Sequence, residues 1–338
     1  MRRPGGKVPV EKERRGPRGR RLTSIELCAG AGGQALGLEE AGFDHLALVE
    51  IDADACTTLR LNRPHWNTLQ MDVRHFDPAG YGEIDLLAAG PPCPPFSVAG
   101  QRLGRSDERD MIPHVLDVLR RCEPRAVLIE NVRGIQDPLF NDYRRWLDEQ
   151  LVEAGYRSFG WQLLNARDFG VPQLRPRALF VAIKGCGPQA FNWPNPTDAG
   201  QTVGAALKGA MAQRGWRGAA AWAKQADGIA PTLVGGSKKH GGPDLGPTRA
   251  KRAWAALGVN AHSIAEEPPD EDFVGMPRLT VTMAASIQGF PPSWRFSGRK
   301  TAAYRQVGNA FPPPVARAIG EAIRDALTAG RRAAAALA

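Results

Sequence analysis

Short apolar runs alternate along the chain with stretches of helical periodicity, from residue 21 to about residue 186. The runs that predict strands are "LTSIEL", "HLALVEI", "IDLLAAG", "RAVLIENV", "YRSFGWQLLN" and "RALFVAIK". Between them, "QALGLEEAGF", "DADACTTLRLN", "MIPHVLDVLRRC" and "RRWLDEQLVEAG" predict helices, the second with Asp52 as its N-cap. Strands that alternate with helices predict an α/β fold, a doubly wound, mostly parallel sheet with helices on both faces.

The alternation stops after about residue 186. Residues 187–277 are rich in Gly, Pro and polar residues, and "GGSKKHGGPDLGPTRAKR" within them is strongly basic. This composition predicts a second, smaller domain with long loops. Regular structure resumes over 278–338, where a helix from Val315 is expected to pack back onto the first domain, which spans 21–186.

The charge is distributed unevenly along the chain. The net charge is +9, and residues 1–20 hold eight Lys/Arg against two Glu, so the other 318 residues carry only +3. The first 20 residues predict a disordered basic arm rather than a signal peptide. A basic chain invites a nucleic-acid partner, but a solubilising tail would give the same bulk charge.

Several functional classes are not predicted by the composition. No run of about 18 apolar residues is present, so we expect no membrane span. Five cysteines without C-x-x-C spacing and six scattered histidines predict neither disulfides nor a metal site. These features predict a protein of the reducing cytoplasm.

A glycine-rich loop, "ELCAGAGG", follows the first strand. Glycines at a strand-to-helix turn let backbone N–H groups approach a ligand, and Gly30, Gly32 and Ala35 satisfy a G-x-G-x-x-A pattern. Glu50 ends the second strand and can accept hydrogen bonds from ribose hydroxyls. Asp72 follows a third strand and can accept one from an adenine amino group. Because ligands of such sheets bind at strand carboxyl ends, the set favours an adenosine-type cofactor over a plain tight turn.

Two further strand ends carry candidate chemistry. "GPPCPPFS" places Cys93 among four prolines, and "ENV" places Glu130 at the end of the next strand. Neighbouring strand ends can bring both residues to one cleft, with the prolines restricting the direction of the thiol. A carboxylic acid in an apolar cleft can hold its proton near neutral pH and act as a general acid. The alternatives are a small buried hydrophobe for Cys93 and a hydrogen-bonded structural acid for Glu130.

The segment "QLRPR" precedes the last apolar run. In an extended chain Gln173, Arg175 and Arg177 share one face, because side chains alternate. Three donors in a row can hold a phosphate or a base carbonyl. The alternative is an exposed strand entry without a ligand.

Eight motifs in a fixed order carry a resemblance to a known family. They are "ELCAGAGG", "VEID", "MDV", "GPPCPPFS", "ENV", "QLRPR", "RLTVTMAASIQGFP" and "YRQVGNAFPPPVARAIG". The chain resembles cytosine-C5 DNA methyltransferases of the bacterial restriction–modification type along almost its whole length after residue 21. The resemblance implies a Rossmann-like, S-adenosylmethionine-dependent catalytic domain over 21–186, completed by 278–338, and a target-recognition domain over 187–277.

The resemblance also implies a mechanism. Cys93 would attack C6 of a cytosine flipped out of double-stranded DNA, while Glu130 would protonate N3. Arg177 would hold the cytosine O2, and Arg175 would support the loop and the DNA backbone. C5 would take the methyl group of S-adenosylmethionine, and loss of the C5 proton with elimination of Cys93 would release 5-methylcytosine.

Further residues and partners follow from the same resemblance. The implied cofactor-binding residues are Cys28, Gly30, Gly32, Gly33, Glu50, Ile51, Asp72, Val73, Pro92 and Asn309. Cys28 stands where many relatives have a Phe that stacks on adenine, so that contact is weaker here or comes from another residue. The implied DNA contacts are Gln173, Ser97, Lys238, Lys239 and Arg249. The expected partners are double-stranded DNA and a separately acting restriction endonuclease, and the protein is expected to be a monomer.

Three alternatives stay open at this point. A tRNA cytosine-C5 methyltransferase would share most motifs, but the Cys-Phe-Thr tripeptide of that branch is absent from the sequence. A nicotinamide-dependent oxidoreductase would explain the glycine loop but neither Cys93 nor Glu130. A catalytically silent DNA-binding relative would not need Cys93 or Glu130, so their presence argues against this alternative.

Overall fold

The computed structural model describes residues 21–92, 109–197, 200–235, 242 and 244–337, with side chains up to residue 330. It contains one seven-stranded sheet, whose strands follow the chain in the order β1 Leu22–Leu27, β2 Phe43–Glu50, β3 Thr68–Gln70, β4 Leu86–Ala89, β5 Ala126–Val132, β6 Tyr156–Asn165 and β7 Pro176–Lys184. In space the strands are ordered β3-β2-β1-β4-β5-β7-β6. The first five pair in parallel, and β7 is antiparallel to both β5 and β6. The predicted mostly parallel, doubly wound α/β sheet is therefore confirmed, with an antiparallel strand inserted near one edge.

Ten α-helices accompany the sheet in the described residues. They are α1 Gly33–Glu40, α2 Ala53–Asn62, α3 Ile112–Cys122, α4 Asn141–Glu153, α5 Val203–Met211, α6 Ala219–Gln225, α7 Thr248–Ala256, α8 Val281–Ile287, α9 Lys300–Asn309 and α10 Pro313–Leu337. The predicted cap of α2 is confirmed, because the Asp52 carboxylate accepts hydrogen bonds from the N–H groups of Asp54 and Ala55 at 3.0 and 3.1 Å. The sequence pattern did not predict helices α5, α6, α7 and α9 individually. No helix of the described residues has the length and apolar character needed to cross a membrane.

Hydrophobic side chains fill both faces of the sheet. On one face, strand residues such as Ile25 pack with Val115 of α3 and Leu147 of α4. On the other, strand residues such as Leu86 pack with α1 and α10. A third cluster joins α5–α9 to the end of α2 and the Trp66 region. The division into a catalytic domain and a target-recognition domain over 187–277 stays a prediction.

Helix α10 packs closely against α1, as expected for the helix from Val315. The contact depends on Gly37, where a Cβ would lie 2.4 Å from the Pro313 carbonyl oxygen and 2.5 Å from the Ala316 Cβ. A second close approach lies at Gly33, where a Cβ would lie 2.1 Å from the Phe311 carbonyl oxygen. This packing fixes the start of α1, and with it the glycine loop that precedes the helix.

Gly37→Ala is therefore expected to destabilise the fold, although Gly→Ala in a helix interior normally stabilises by up to about 1 kcal/mol. Overpacking against α10 should cost about 1–3 kcal/mol. Gly209→Ala in α5 is the matched control, because no heavy atom lies within 4 Å of a Cβ there. Urea denaturation should give a lower midpoint for Gly37→Ala and an unchanged or higher one for Gly209→Ala. Equal midpoints for the two variants would contradict the packing described here.

Candidate active site

The candidate site lies where the carboxyl ends of β1, β2, β4 and β5 meet at one edge of the sheet. Because β7 is antiparallel, its first residues reach the same edge. Parallel α/β sheets bind ligands at this edge. The glycine loop and Gly90 follow strands here, Glu50 ends β2, and Glu130 lies near the end of β5. Arg177 lies at the start of β7.

The glycine loop adopts left-handed backbone conformations at Cys28 (φ 57°), Gly30 (φ 54°) and Gly32 (φ 86°). A Cβ on Gly32 would lie 2.6 Å from Leu59 Cδ2 and 3.0 Å from Trp294, so packing excludes a side chain there. A Cβ on Gly30 would meet nothing within 4 Å. The loop is thus packed on one side at Gly32 and borders open space at Gly30.

Glu50 fixes the loop to the end of β2. Its carboxylate accepts hydrogen bonds from the backbone N–H groups of Gly30 and Asp52, both at 2.7 Å. Burial raises the pKa of Glu50, and these N–H groups oppose the shift. Each carboxylate oxygen keeps a second lone pair, so Glu50 can also accept hydrogen bonds from ligand hydroxyls.

The neighbouring predicted cofactor residues lie around the end of β3. Asp72 caps the short 3₁₀ turn Val73–His75, and Arg74 donates to both of its carboxylate oxygens, at 3.0 and 2.5 Å. The hydrogen bonds from Arg74 lower the pKa of Asp72 to about 2. Val73 is buried, whereas Ile51 is 64% exposed. Asp72 is thus an ionised acceptor that Arg74 already holds in one orientation.

Glu130 and Arg177 form a buried ion pair at the end of β5. Arg177 Nε lies 2.7 Å from Glu130 Oε1, and the residues are only 9% and 8% exposed, respectively. Burial raises the pKa of Glu130, while Arg177 and Arg175 oppose the shift. We favour the raised direction, because burial is the largest influence and Arg177 engages only one of the two oxygens. The carboxyl group is therefore suited to hold and deliver a proton.

Gly90 lies between the glycine loop and Glu130. A Cβ there would be 3.6 Å from the Cys28 carbonyl oxygen and 3.7 Å from Glu130 Oε2. The chain continues from Gly90 through Pro92 to Cys93. Cys93 and Ser97 lie outside the described residues, as do Lys238 and Lys239.

Gln173 and Arg175 do not lie at the surface. They are 0% and 1% exposed, and their side chains bond to protein groups. Both side chains are therefore covered by protein in this structure. The segment around Leu233 and the ends of α8 and α9 cover this part of the "QLRPR" face, and the predicted DNA contacts of Gln173 and Arg175 stay predictions. Arg177 alone of the three reaches the cleft.

Asn309 and Arg249 lie on exposed surface. Asn309 ends α9, and its Oδ1 would be 2.5 Å from a Cβ on Gly235, beside the start of the basic segment. Arg249 lies in the first turn of α7. Both positions are compatible with the predicted contacts to cofactor and DNA, which stay predictions.

Glu26 was not among the predicted site residues. Its carboxyl is buried in β1 directly before the loop, and Oε2 has no hydrogen-bond partner within the described part of the chain. Burial, and then the charge of Glu50, raise the pKa of Glu26. The sequence could have indicated Glu26, since "LTSIEL" carries one acidic residue in an otherwise strand-like run.

These residues fit a nucleoside cofactor with a charged amino-acid end. Glu26 and Glu50 supply acceptors beside the loop, and the missing side chain at Gly30 leaves room for a ligand close to the backbone. Asp72 supplies a further acceptor at the next strand end. The acceptor set and the space thus agree with the predicted cofactor.

Comparisons with known proteins agree with this geometry. The family model described as C-5 cytosine-specific DNA methylase matches residues 22–325. The Type II methyltransferase M.NaeI of Lentzea aerocolonigenes is 53% identical over 312 residues, which cover 90% of this chain and 75% of the relative. The Type II methyltransferase M.NgoMIV of Neisseria gonorrhoeae is 51% identical over 310 residues, covering 90% of this chain and 98% of the relative.

Solved structures share the fold. The S. pombe Dnmt2 methyltransferase aligns with a TM-score of 0.62 at 19% identity, covering 92% of this chain and 99% of that one. The Entamoeba histolytica methyltransferase EhMeth aligns with a TM-score of 0.63 at 14% identity, covering 91% and 99%. The family match over residues 22–325 and the identities above 50% show that the chain belongs to the C-5 cytosine-specific DNA methylases, the DNA cytosine-5-methyltransferases.

Proposed function

We propose that this enzyme methylates C5 of a cytosine flipped out of a specific double-stranded DNA sequence, with S-adenosylmethionine as donor and a covalent Cys93–C6 bond as intermediate. The carrying observation is the position of Gly90, between the glycine loop and Glu130. Only Pro91 and Pro92 separate Gly90 from Cys93, so the three Cα–Cα steps span at most about 11 Å. This short connection supports a site in which the thiol, the general acid and the cofactor loop act together.

Cytosine C5 becomes nucleophilic only after addition at C6. The Cys93 thiolate forms the S–C6 bond, and the displaced ring electrons make C5 nucleophilic as Glu130 gives its proton to N3. Arg177, which pairs with Glu130 Oε1, donates to the cytosine O2. The bound cofactor supplies an electrophilic methyl group to C5. The C5 proton then leaves to a base, and the electron pair of that bond forms the C5–C6 double bond. The S–C6 bond breaks with its electron pair on sulfur, which restores the Cys93 thiolate, and N3 returns its proton to Glu130.

A stacked base pair leaves no room for attack at C6, so the target cytosine must leave the duplex. Flipping costs a few kcal/mol, which contacts to DNA offset. Lys238, Lys239 and Arg249 of the proposed recognition domain are the candidates for those contacts. Ser97 is proposed to contact the DNA beside Cys93.

The cofactor residues are proposed in the roles that their positions favour. Glu50 accepts from the ribose hydroxyls, Asp72 accepts from the adenine amino group, and Gly30 and Gly32 present backbone groups. Cys28, Gly33, Ile51, Val73, Pro92 and Asn309 complete the pocket. The left-handed backbone at Cys28 and the hydrogen bond from Gly30 N–H to Glu50 support this arrangement.

The biological setting is also proposed. The named Type II methyltransferases among the relatives support a restriction–modification role, with a cognate endonuclease that acts separately. We infer a cytoplasmic monomer.

Bisulfite sequencing of DNA from cells that express the protein tests the activity and identifies the target sequence together. DNA without 5-methylcytosine would contradict the proposal.

Cys93→Ser is expected to abolish methyl transfer and the covalent trapping of DNA that carries 5-fluorocytosine, because a hydroxyl of much higher pKa cannot replace the thiolate. Affinity for S-adenosylhomocysteine, measured by calorimetry, should change less than about twofold because the cofactor loop is untouched. Cys186→Ser, a half-buried cysteine at the far end of β7, is the matched control and should keep wild-type rates. Methylation by Cys93→Ser at the wild-type rate would refute the covalent mechanism.

Glu130→Gln is expected to lower kcat by about 10²–10⁴-fold, the usual contribution of a positioned general acid. Glu123→Gln, which removes an exposed carboxylate paired with Lys184, should leave kcat within about twofold. A Glu130→Gln variant with unchanged kcat would remove the acid role.

The pH dependence follows from the direction of the Glu130 shift. Burial raises its pKa, so the acid form is present below that raised value and is lost as pH increases through it. The wild-type kcat should therefore fall on the alkaline side, and Glu130→Gln should lack this limb. Single-turnover rates across pH 5–9 would measure both profiles.

A further inference from the structure

Two polar side chains of the "QLRPR" segment are buried in a place where the catalytic mechanism does not use them. Gln173 and Arg175 lie directly before β7, and both are fully enclosed by protein. A buried cation is costly unless its donors are satisfied. Their partners therefore indicate what the two side chains hold in place.

One set of partners belongs to the segment that leads into the basic region. The Leu233 N–H donates to Gln173 Oε1 at 2.9 Å, and the Leu233 carbonyl accepts from Arg175 Nη1 at 2.7 Å. The Ala230 N–H donates to the Pro172 carbonyl, and the Ala230 carbonyl accepts from the Leu174 N–H at 2.8 Å. Residues 230–233 are thus bound to residues 172–175 through both backbone polar groups of Ala230 and of Leu233.

The other partners lie at the ends of two helices. Gln173 Nε2 donates to the Ile287 carbonyl at 3.1 Å, at the end of α8, and to Gln288 Oε1 at 2.7 Å. Arg175 Nη2 donates to the carbonyls of Gly308 and Ala310 at 2.7 and 2.9 Å, at the end of α9. The two side chains therefore join four separate segments of the chain.

The joined segments lead in two directions. Toward the basic region, Gly235 follows Leu233 by two residues and packs against α9, since a Cβ on Gly308 would lie 2.3 Å from the Gly235 nitrogen. Toward the site, Arg177 follows Arg175 by two residues and pairs with Glu130. Residues 173–177 thus contact the segment that leads into the basic region and also carry Arg177 of the Glu130–Arg177 pair.

We propose that Gln173 and Arg175 are positioning residues that hold the recognition region at a fixed position relative to the Glu130–Arg177 pair. This inference rests on the proposed function. Their contacts with residues 230–233, here called the joint, fix where the chain enters the basic segment relative to the flipped base. Contact with the correct DNA sequence and methyl transfer therefore occur in the same geometry. Loss of the joint at Leu233 reduces sequence discrimination without removing the cofactor site.

The test compares two variants of Gln173. Gln173→Met keeps the side-chain length but leaves the Leu233 N–H without its acceptor. Gln173→Glu keeps an acceptor for that N–H beside Arg175 and loses the donor to the Ile287 carbonyl and to Gln288 Oε1. If Leu233 is the functional contact, the two variants differ. If Gln173 only supports the fold, both lose the contacts to Ile287 and Gln288 and behave alike.

Discrimination is measured as the ratio of dissociation constants for two duplexes, with S-adenosylhomocysteine present. One duplex carries the site found by bisulfite sequencing, and the other carries it scrambled. We expect Gln173→Met to lose at least tenfold in this ratio and Gln173→Glu to stay within about threefold of wild type. Affinity for S-adenosylhomocysteine should stay within about twofold in both variants.

Thr232→Val gives a second, milder test at a partly exposed position. The Thr232 hydroxyl donates to the Leu174 carbonyl at 2.5 Å, across the same joint. We expect a threefold or greater loss of discrimination. Thr328→Val removes an equivalent hydroxyl that donates to the Arg324 carbonyl in α10, and discrimination should be unchanged.

The proposal is overturned if Gln173→Met discriminates as well as wild type, or if Gln173→Glu loses as much as Gln173→Met. If Gln173→Met does not fold, unchanged discrimination by Thr232→Val overturns it. A wild-type protein that binds both duplexes equally and methylates neither contradicts the proposed function itself.

Discussion

The antiparallel pairing of β7 with β5 is the constraint on which the candidate site depends. Because β7 runs against β5, its first residues lie beside the last residues of β5, with Val132 opposite Arg177. Glu130 shares this face of the sheet, since side chains two residues apart point the same way. A parallel β7 would place Arg177 at the far edge, roughly 20 Å away, and a shift of one residue in register would turn it to the other face.

The same segment gives two arginines opposite surroundings although they share a face. Arg175 is covered, and its guanidinium bonds to backbone carbonyls of Leu233, Gly308 and Ala310. Arg177 lies at the cleft and engages one carboxylate oxygen. Buried charges are retained only where such partners offset their desolvation. The first arginine therefore links segments of the fold, and the second remains available to act with Glu130.

Sequence patterns predicted the elements well, because local periodicity and capping determine them. The strands, the Asp52 cap and the strand-end positions of Glu50 and Glu130 all required only neighbouring residues. The surroundings of Gln173 and Arg175 could not be predicted, because the groups that bury them come from residues 58 to 135 positions away in the chain. The Arg74–Asp72 contact could have been suggested from sequence, since the two residues are only two positions apart.

The glycine motif shows why identical residues in one loop are required for different reasons. At Gly32 the obstacle to a side chain is packing against Leu59 and Trp294, and at Gly33 it is the Phe311 carbonyl. At Gly30 nothing obstructs a side chain, so the positive φ and the adjacent open space account for the glycine there. Cys28 adopts a similar left-handed conformation without the freedom of glycine, at a cost of order 1 kcal/mol. Such strain is retained where the surrounding structure fixes the backbone, and here the Glu50 carboxylate fixes it by binding the Gly30 N–H two residues later. The acid that closes the end of β2 therefore also sets the shape of the loop on β1, which makes the two strand ends one site.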